Sequence, residues 1–585
     1  MRILFIYPEH YLNIGIPGGV SMLSANLKKH GHETALIDTT FMKVDPEFDA
    51  RTFDAKAMHQ KLHGGLGEKE ADTSGISPMK KTSYTIEDLV RDDPVVSYQE
   101  QFQGAIDTFK PDLIAISSMT STFDFVMNII RTVDYDCPVI AGGIHPTIAV
   151  DDCMSQKEID IACYGEADNV MVELCDLMEA GKDYTNVKSM VFRMPDGTLK
   201  RNPPAPRVDN EDLPCPDWGL FDRRHLFRPF DGKIYTGSFY IQSRGCPMQC
   251  TYCVDSTVAQ MTGGHAGYFR HQKPEVTIGH LTELKEKFGV NWIKFADDSF
   301  LLPRIEHLEE LGEGLKRLGM QFGCSVMPNT ITEDKVKLAR EMGCVAMSVG
   351  VESGNAAIRK MVKRSYKDDV LVERLKIVQK YGIRLSTFNI IGFPGETREN
   401  VFETINLNRR IGTSACNVYV LFPYPGTPIQ IEHKIPIRDE NGKMLPVSKA
   451  KELGLSKMSP DELEGLQHTF NFYLHMPREL WPIVHLAEAS DSRGMVIRKL
   501  VQSFIVSHLS GDPVEVVSLK QADPEVTLER NTRADAQIPT ILSGIYRLEL
   551  TAEEREKVTD AFWQYERSKI ADEAAPVAEA MQSFA

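Results

Sequence analysis

The stretch SRGCPMQCTYC, residues 243–253, places Cys246, Cys250 and Cys253 in one short loop, in a chain with 11 cysteines. The pattern CxxxCxxC follows an apolar segment that reads as a strand. A structural zinc site needs four protein ligands, usually in two separated pairs, and this chain has no second CxxC pair. Three thiolates instead leave one iron of a [4Fe-4S] cluster open for another ligand. The alternative is three unrelated core cysteines, and the rest of the sequence decides between them.

Length and charge restrict the class of protein. The chain has 585 residues, 66 basic and 82 acidic, with a net charge of -16. This length predicts about three domains. The negative charge argues against a nucleic-acid-binding surface and favours a soluble protein. We find no signal-peptide pattern and no apolar run long enough to span a membrane, and we predict a cytoplasmic protein with reduced cysteines.

The first domain is predicted to be an α/β domain over residues 1–195. Apolar strand patterns at residues 2–8, 33–39, 112–118 and 138–143 alternate with helical patterns. A polar segment, residues 42–93, interrupts this alternation and is interpreted as an insertion. Buried strands separated by helices indicate a doubly wound, Rossmann-like parallel sheet. Its ligand should bind at the carboxyl ends of the strands.

The rest of the chain divides into three further segments. A proline-rich connector, residues 196–236, is predicted to be the interdomain linker. Strands and helices alternate again over residues 237–450, which favours a partial (β/α) barrel with its chemistry on the loops after the strands. Helical periodicity dominates residues 451–585, and we predict a mostly α-helical carboxyl-terminal domain.

The cysteine loop and the strand ends that follow it resemble the radical S-adenosylmethionine (SAM) superfamily. In that family three cysteines hold a [4Fe-4S] cluster whose open iron binds the amino and carboxylate groups of SAM. Tyr252 stands where the family has an aromatic residue beside the last cysteine. The resemblance covers about residues 237–427 and implies that Cys246, Cys250 and Cys253 are the metal ligands.

Three later motifs occur in the family's order. FADDSF ends the second strand, where Asp297 or Asp298 is the candidate contact for the SAM amino group; capping of the next helix is the alternative role. The motifs GVESG and NIIGFPGET resemble the ribose-side and adenine-side segments. The resemblance implies SAM-binding roles for Glu352, the acceptor for the ribose hydroxyls, and for Ser353 in the first motif. It implies the same for Gly392 and Pro394 in the second motif.

The first domain resembles the cobalamin-binding domain that precedes some radical SAM barrels. GGIHPT follows its fourth strand pattern, SSMTST follows the third, and DIACYGEAD comes later. The DxHxxG motif that supplies a histidine to cobalt is absent, which leaves the lower axial ligand open, with His145 the only suggestion. The cobalamin-binding candidates are Ser117, Ser118, Thr120, Gly142, Gly143, His145, Gly165 and Glu166.

The resemblance implies a function in which a 5′-deoxyadenosyl radical removes hydrogen from an unactivated carbon of a small-molecule or natural-product-like substrate. Methylcobalamin would then supply a methyl group, and an electron donor such as flavodoxin or ferredoxin would reduce the cluster. Cyclisation or ring rearrangement uses the same architecture and is kept as the alternative. A tRNA methylthiotransferase and a non-enzymatic iron–sulfur protein are less favoured. No side chain is identified as catalytic from the sequence.

Overall fold

A computed structural model describes residues 1–44, 84–440, 442, 444–510, 548, 550–561 and 564–565. Most of the predicted insertion, residues 42–93, lies outside these described residues. The described chain forms two seven-stranded sheets and a small two-stranded ribbon. The predicted fold class is confirmed, with an α/β domain, a partial barrel and a helical region following one another along the chain.

The first sheet has the strand order β2-β1-β3-β4-β5-β6-β7. Strands β2 to β5 are parallel, and β6 and β7 extend the sheet as an antiparallel edge. The strands are β1 (Arg2–Tyr7), β2 (Glu33–Asp38), β3 (Leu113–Ser117), β4 (Val139–Gly142), β5 (Ile161–Cys163), β6 (Met190–Arg193) and β7 (Leu199–Arg201).

Helices cover this sheet on both faces because its central strands are apolar on both sides. In β1, Ile3 and Phe5 belong to one core cluster, whereas Leu4 and Ile6 belong to the cluster on the opposite face. All four side chains are buried, as expected for a central parallel strand. The helices are α1 (Gly18–Lys29), α2 (Tyr98–Phe109), α3 (Thr120–Ile130), α4 (Ile144–Ile148), α5 (Val150–Ser155) and α6 (Asp168–Glu179).

The second sheet has the order β16-β15-β14-β13-β12-β9-β8, and it does not close, since β16 and β8 are both edges. All neighbours are parallel except β8 with β9. The strands are β8 (Phe227–Phe230), β9 (Lys233–Tyr240), β12 (Trp292–Phe295), β13 (Gln321–Val326), β14 (Cys344–Glu352), β15 (Arg384–Ile391) and β16 (Ala415–Val420), and β10 (Ser243–Arg244) and β11 (Arg270–His271) form the separate ribbon.

Helices cover only one face of this second sheet. In β15, Leu385, Thr387 and Asn389 are fully buried, whereas the alternate residues Ser386 and Phe388 remain partly accessible. The accessible side chains define the inner face of the partial barrel. The helices of this region are α7 (Val254–Met261), α8 (Pro274–Phe288), α9 (Ile305–Leu318), α10 (Glu333–Glu341), α11 (Ala356–Met361), α12 (Asp368–Lys380), α13 (Arg398–Ile411) and α14 (Pro428–Glu432).

Strands extend into both ends of the segment predicted as the linker, residues 196–236. Strand β7 completes the first sheet, and β8 begins the second. Between them, Ser24 Oγ donates to Asp217 at 2.6 Å, so the proline-rich connector packs against α1. Short 3₁₀ helices lie at Glu87–Val90, Trp218–Leu220, Arg223–Leu226, Pro328–Thr330, Val447–Leu453 and Arg478–Leu480.

The carboxyl-terminal region packs helices against the last strands of the partial barrel. These helices are α15 (Pro460–His475), α16 (Trp481–Leu486) and α17 (Ser492–Ser510). Ser459 and Glu462 form a capping box at the start of α15. The aromatic side chains of Phe470 and Tyr473 are buried in the core that α15 shares with β15 and β16, so core packing explains them. Among the described residues, no helix is long and apolar enough to cross a membrane.

Candidate functional site

The three cysteines of the opening motif lie in the segment that joins β10 to α7. Cys253 is the residue before α7, and its amide donates to Cys250 O at 3.2 Å. Gly245 turns the chain into this segment at φ 76°, and a side chain there would meet the Tyr268 carbonyl. Burial raises the pKa of the Cys246 thiol to about 12, and it also raises the pKa of Cys250 and Cys253. Binding of a metal would therefore displace protons from these thiols.

The sulfur atoms of Cys246, Cys250 and Cys253 do not all lie within 4.8 Å of one another. A zinc ion bound by thiolates holds its sulfur ligands about 3.8 Å apart. Among the described residues, the donors that approach one another within 4.8 Å in a group of three are those of His32, Asp176 and Glu179, not the cysteines. A cluster with several irons is thus a better fit to this loop than a mononuclear site.

The two aspartates after β12 have different surroundings. Asp297 is 2% exposed, and its carboxylate accepts from the amide of Ser243 at 2.6 Å and from the Ser243 hydroxyl. The surface of Asp298 is solvent-accessible, but the protein atoms around it partly desolvate its carboxylate, and this desolvation, with the nearby charge of Asp255, raises its pKa to about 8. Asp297 therefore anchors the strand before the cysteine loop. Of the pair, Asp298 has the carboxylate that a ligand can reach, and we propose it as the contact for the SAM amino group.

Glu352 ends β14 in a buried ion pair that the sequence did not reveal. Its Oε1 accepts from Arg364 Nη2 at 2.7 Å, and both side chains are buried. The phenol of Tyr252 lies beside this pair, and its pKa is raised by burial and by the Glu352 charge. Arg364 Nε is buried without a hydrogen-bond partner, and the Arg364 charge also acts on Cys250. A buried guanidinium with a free donor beside the cysteine loop suits a ligand that carries a carboxylate.

Gly350 makes this ion pair possible. A Cβ atom at this position would overlap both Glu352 Oε1 and the Arg364 guanidinium. Glu352 itself has φ 67°, a conformation that costs about 1–3 kcal/mol outside glycine and that turns its side chain back over Gly350. The GxE spacing in the motif GVESG therefore has a steric reason. Ser353, by contrast, is fully buried with its hydroxyl 3.5 Å from Thr404 Oγ1, on the helix-covered side.

We expect Glu352→Ala to weaken SAM binding and also to destabilise the fold, because it leaves the Arg364 charge buried without its partner. Breaking such a pair costs about 3–5 kcal/mol. Glu352→Gln keeps an acceptor for Arg364, so it should fold better while still weakening SAM by about 1–3 kcal/mol through the lost charged hydrogen bond. Thermal melting and equilibrium dialysis with SAM separate the two effects. Wild-type SAM affinity in Glu352→Gln would show that the ribose contact lies elsewhere.

The turn after β15 is held by a glutamate that the sequence analysis did not single out. Gly392 and Phe393 donate their amides to Glu396 Oε2 at 2.6 and 3.2 Å. Burial raises the pKa of Glu396 to about 7. Gly392 adopts φ 85°, while Pro394 is partly exposed at the outside of the turn. The last residues of the GFPGE motif thus fix the backbone of its first residues at the strand end.

In the first sheet, the turn after β4 contains two glycines with different environments. A Cβ atom at Gly143, which has φ 100°, would lie 2.7 Å from Ser118 O, so only glycine fits there. At Gly142 the nearest atom to such a Cβ is Cys163 Cβ at 3.9 Å. The amide of Ser118 donates to Gly142 O at 3.0 Å, which joins this turn to the end of β3 beside Ser117. The strand ends therefore form an edge that is open at Gly142.

His145 is enclosed by protein. The ring is 1% exposed, its Nε2 lies 3.2 Å from Asp152 Oδ2, and its Nδ1 lies 3.4 Å from the Thr120 hydroxyl. It also stacks on Phe123 with ring centroids 4.2 Å apart. Both nitrogens face protein atoms, and this geometry favours a structural role over the suggested ligation of cobalt. Thr120, another cobalamin-binding candidate, takes part in this contact through its hydroxyl.

Gly165 and Glu166 lie where the two sheets meet. A Cβ atom at Gly165 would be 3.0 Å from Thr262 Cγ2, at the end of α7. Glu166 pairs with Arg270 and accepts from the amide of Val208 at 2.8 Å. These contacts tie the first domain to the ribbon and helix that flank the cysteine loop. The Glu166 carboxylate is thus committed to the junction between the domains.

Sequence reasoning missed Arg364, Glu396 and Asp255. Arg364 lies 12 residues after Glu352, a separation that by itself predicts no contact. Glu396 was quoted only as part of a motif. Asp255, in the first turn of α7, accepts from the Tyr268 hydroxyl at 3.0 Å and faces Asp298. The one sequence signal for Asp255 was its position, two residues after the last cysteine of the motif.

Two family models match the chain in the order of its two sheets. The B12 binding domain matches residues 79–175, and the Radical SAM superfamily matches residues 240–407. An uncharacterized methyltransferase of Pyrococcus horikoshii is 27% identical over 333 residues, which are 55% of this chain and 69% of that protein. The anaerobic magnesium-protoporphyrin IX monomethyl ester cyclase of Rubrivivax gelatinosus is 24% identical over 338 residues, 56% of this chain, and the matched part spans 59% of the cyclase.

One solved structure shares the whole arrangement of domains. It is the radical S-adenosylmethionine methyltransferase TsrM from Kitasatospora setae with cobalamin and a [4Fe-4S] cluster bound. Its TM-score is 0.57 at 14% sequence identity, and the match covers 87% of this chain and 99% of that chain. At this identity the likeness shows a common fold.

Proposed function

We propose, from the premise that the chain is a radical SAM protein with an amino-terminal B12-binding domain, that it methylates an unactivated carbon of a small molecule. The predicted [4Fe-4S] cluster, SAM and cobalamin are the cofactors of these two domains. When bound, the cluster and SAM supply a 5′-deoxyadenosyl radical, and cobalamin supplies the methyl group. The relative from Pyrococcus horikoshii, described as a methyltransferase, supports this reaction class.

The observation that carries the proposal is the closeness of the two sites. Ile144, which follows the Gly142–Gly143 turn, shares an apolar cluster with Val254 and Val258, which follow Cys253 in α7. The open edge of the first sheet is therefore adjacent to the cysteine loop of the second. A substrate at the mouth of the partial barrel would face both sites, as radical formation and methyl transfer on one carbon require.

The residues of the chain have separate tasks in this proposal. Cys246, Cys250 and Cys253 hold the cluster, while Asp298 and Glu352 position SAM through its amino group and ribose. The buried Arg364 pairs with Glu352 and offers its free Nε to an anionic group of the ligand.

Cyclisation or rearrangement remains the second candidate, because a relative with this function matches 56% of the chain. The geometry disfavours a methylthiotransferase, which needs three more cysteines for a second cluster. Cys153 and Cys163 lie in core clusters on opposite faces of the first sheet, so they do not share one site with Cys137. A non-enzymatic iron–sulfur protein would have no use for the Glu352–Arg364 pair.

An electron donor of the flavodoxin or ferredoxin type is the partner that this reaction requires, and we keep the predicted cytoplasmic location as part of the proposal. No nucleic-acid partner is expected at a net charge of -16.

The proposal is tested with anaerobically reconstituted protein, a reductant, SAM labelled with deuterium in its methyl group, and a small-molecule extract of the source cells. We expect bound cobalamin, formation of 5′-deoxyadenosine, and deuterated methyl groups on carbon in the product. Conversion of a compound without labelled methyl would favour the cyclase alternative. Protein that binds no cobalamin and cleaves no SAM would overturn the proposal.

A further inference from the structure

The inner face of the partial barrel carries positive charge at its base. Strand register places Lys294, Gly323, Ala346 and Arg384 side by side on β12, β13, β14 and β15. These residues belong to the alternating set that helices do not cover. Gly323 and Ala346 are small, so no long side chain stands between Lys294 and Arg384 in this row.

Lys294 has no carboxylate beside it in the part of the chain that the structure describes. No described hydrogen bond or ion pair involves its ammonium group. Its stem lies along Gly323, where a Cβ atom would be 3.6 Å from Lys294 Cδ. Strand register pairs Lys294 with Phe239 of β9, the residue whose ring Arg228 covers, so the lysine lies on the inner face near a second cation. Burial lowers the pKa of Lys294, Cys324 and Cys344 act to raise it, and the positive charge of Arg228 lowers it.

Arg228, on β8, is that second cation. Its guanidinium lies 4.9 Å from the ring of Phe239, and its Nη2 donates to Ile14 O at 3.3 Å. Arg228 Nε is buried without a hydrogen-bond partner. Burial lowers the pKa of Arg228 to about 10, and none of the described acidic side chains offsets this. Within the part of the chain that the structure describes, the guanidinium of Arg228 contacts a neutral carbonyl and an aromatic ring.

Two neighbouring cations inside a protein destabilise the fold unless an anion compensates them. The next layer of the inner face, toward the carboxyl ends, has the hydroxyls of Ser325, Ser348 and Ser386 in register, with Ser348 and Ser386 2.9 Å apart. Hydroxyl donors next to cations are the groups that bind carboxylate or phosphate oxygens. The surface therefore has the chemistry of an anion site.

We propose that the substrate of the methylation proposed above carries a carboxylate or phosphate group, which Lys294 and Arg228 bind at the base of the inner face. Lys294 is the last residue but one of β12, and Asp298 follows the end of this strand by three residues. The substrate would then lie with its anionic group on the inner face and its reacting carbon near SAM at the strand ends.

The test uses holoprotein with cluster, SAM and cobalamin bound, so that the cofactors occupy their own sites. Equilibrium dialysis with radiolabelled inorganic phosphate is compared between wild type, Lys294→Gln and Lys294→Arg. We expect saturable binding that weakens about tenfold or more in Lys294→Gln, as loss of a charged hydrogen bond predicts, and that Lys294→Arg largely keeps. The control is Lys287→Gln, which removes an exposed lysine paired with Glu283 and should bind phosphate like wild type.

Lys294→Met adds a readout that does not depend on phosphate binding. If Lys294 is a binding residue, this variant should melt at or above the wild-type temperature, because it removes a cation that the fold leaves uncompensated. Equal phosphate binding in wild type and Lys294→Gln, or a large loss of stability in Lys294→Met, would overturn the anion site. Formation of 5′-deoxyadenosine by the wild type is measured in parallel. Its absence would contradict the proposed function, whereas phosphate binding that depends on Lys294 would still support the anion site.

Discussion

Replacement of any one of Cys246, Cys250 and Cys253 by alanine is expected to abolish SAM cleavage and to remove the brown absorbance of the cluster. The physical reason is that each thiolate would hold a different iron of the proposed cluster, and that the loop offers no fourth cysteine as a substitute. Iron and sulfide content, the visible spectrum and 5′-deoxyadenosine formation measure the effect. We expect activity to fall to background in each variant.

The matched controls are Cys175→Ala and Cys416→Ala. Both cysteines are buried in apolar cores, Cys175 under the first sheet and Cys416 under the second. Each alanine variant should lose some stability through a small cavity, but should keep the iron content of the wild type. A Cys250→Ala protein with full iron and full activity would contradict the assignment of the cluster ligands.

Gly142→Leu is expected to abolish cobalamin binding and the transfer of labelled methyl to product. A Cβ atom at Gly142 would have its nearest neighbour, Cys163 Cβ, at 3.9 Å, so the backbone tolerates a side chain at this position. We expect the bulk of leucine to prevent the cofactor from approaching the backbone. The cysteine loop and Glu352 belong to the other sheet, so formation of 5′-deoxyadenosine should continue without methylation. Absorbance of bound cobalamin and deuterium tracing follow both results.

The control for this prediction is Gly104→Leu, in α2 of the same domain, where a Cβ atom meets no other atom within 4 Å. It should bind cobalamin like wild type. Gly143→Leu is not a useful test, because its side chain would collide with the backbone of Ser118 and the domain would be disrupted. Labelled product at the wild-type rate from Gly142→Leu without cobalamin would refute the methyl-transfer proposal.

The sequence by itself determined the fold class and the order of the domains. Buried strands such as Arg2–Tyr7 are apolar on both sides, and this pattern predicts helices on both faces of a sheet wherever it occurs. The cysteine spacing and the motifs at residues 295–300, 350–354 and 389–397 determined the superfamily, because each is a local requirement of one loop after one strand. These signals depend on neighbouring residues, so no three-dimensional information is needed to read them.

Only the tertiary structure decided which side chains act together. The pairing of Glu352 with Arg364, the separation of Asp297 from Asp298, and the enclosure of His145 depend on how a strand end turns and on what packs against it. The cations Lys294 and Arg228 are distant in sequence and lie on either side of Phe239 because β8, β9 and β12 are neighbours in one sheet. The burial of a side chain and the charges around it come from elements distant in the chain, so local sequence patterns do not predict them.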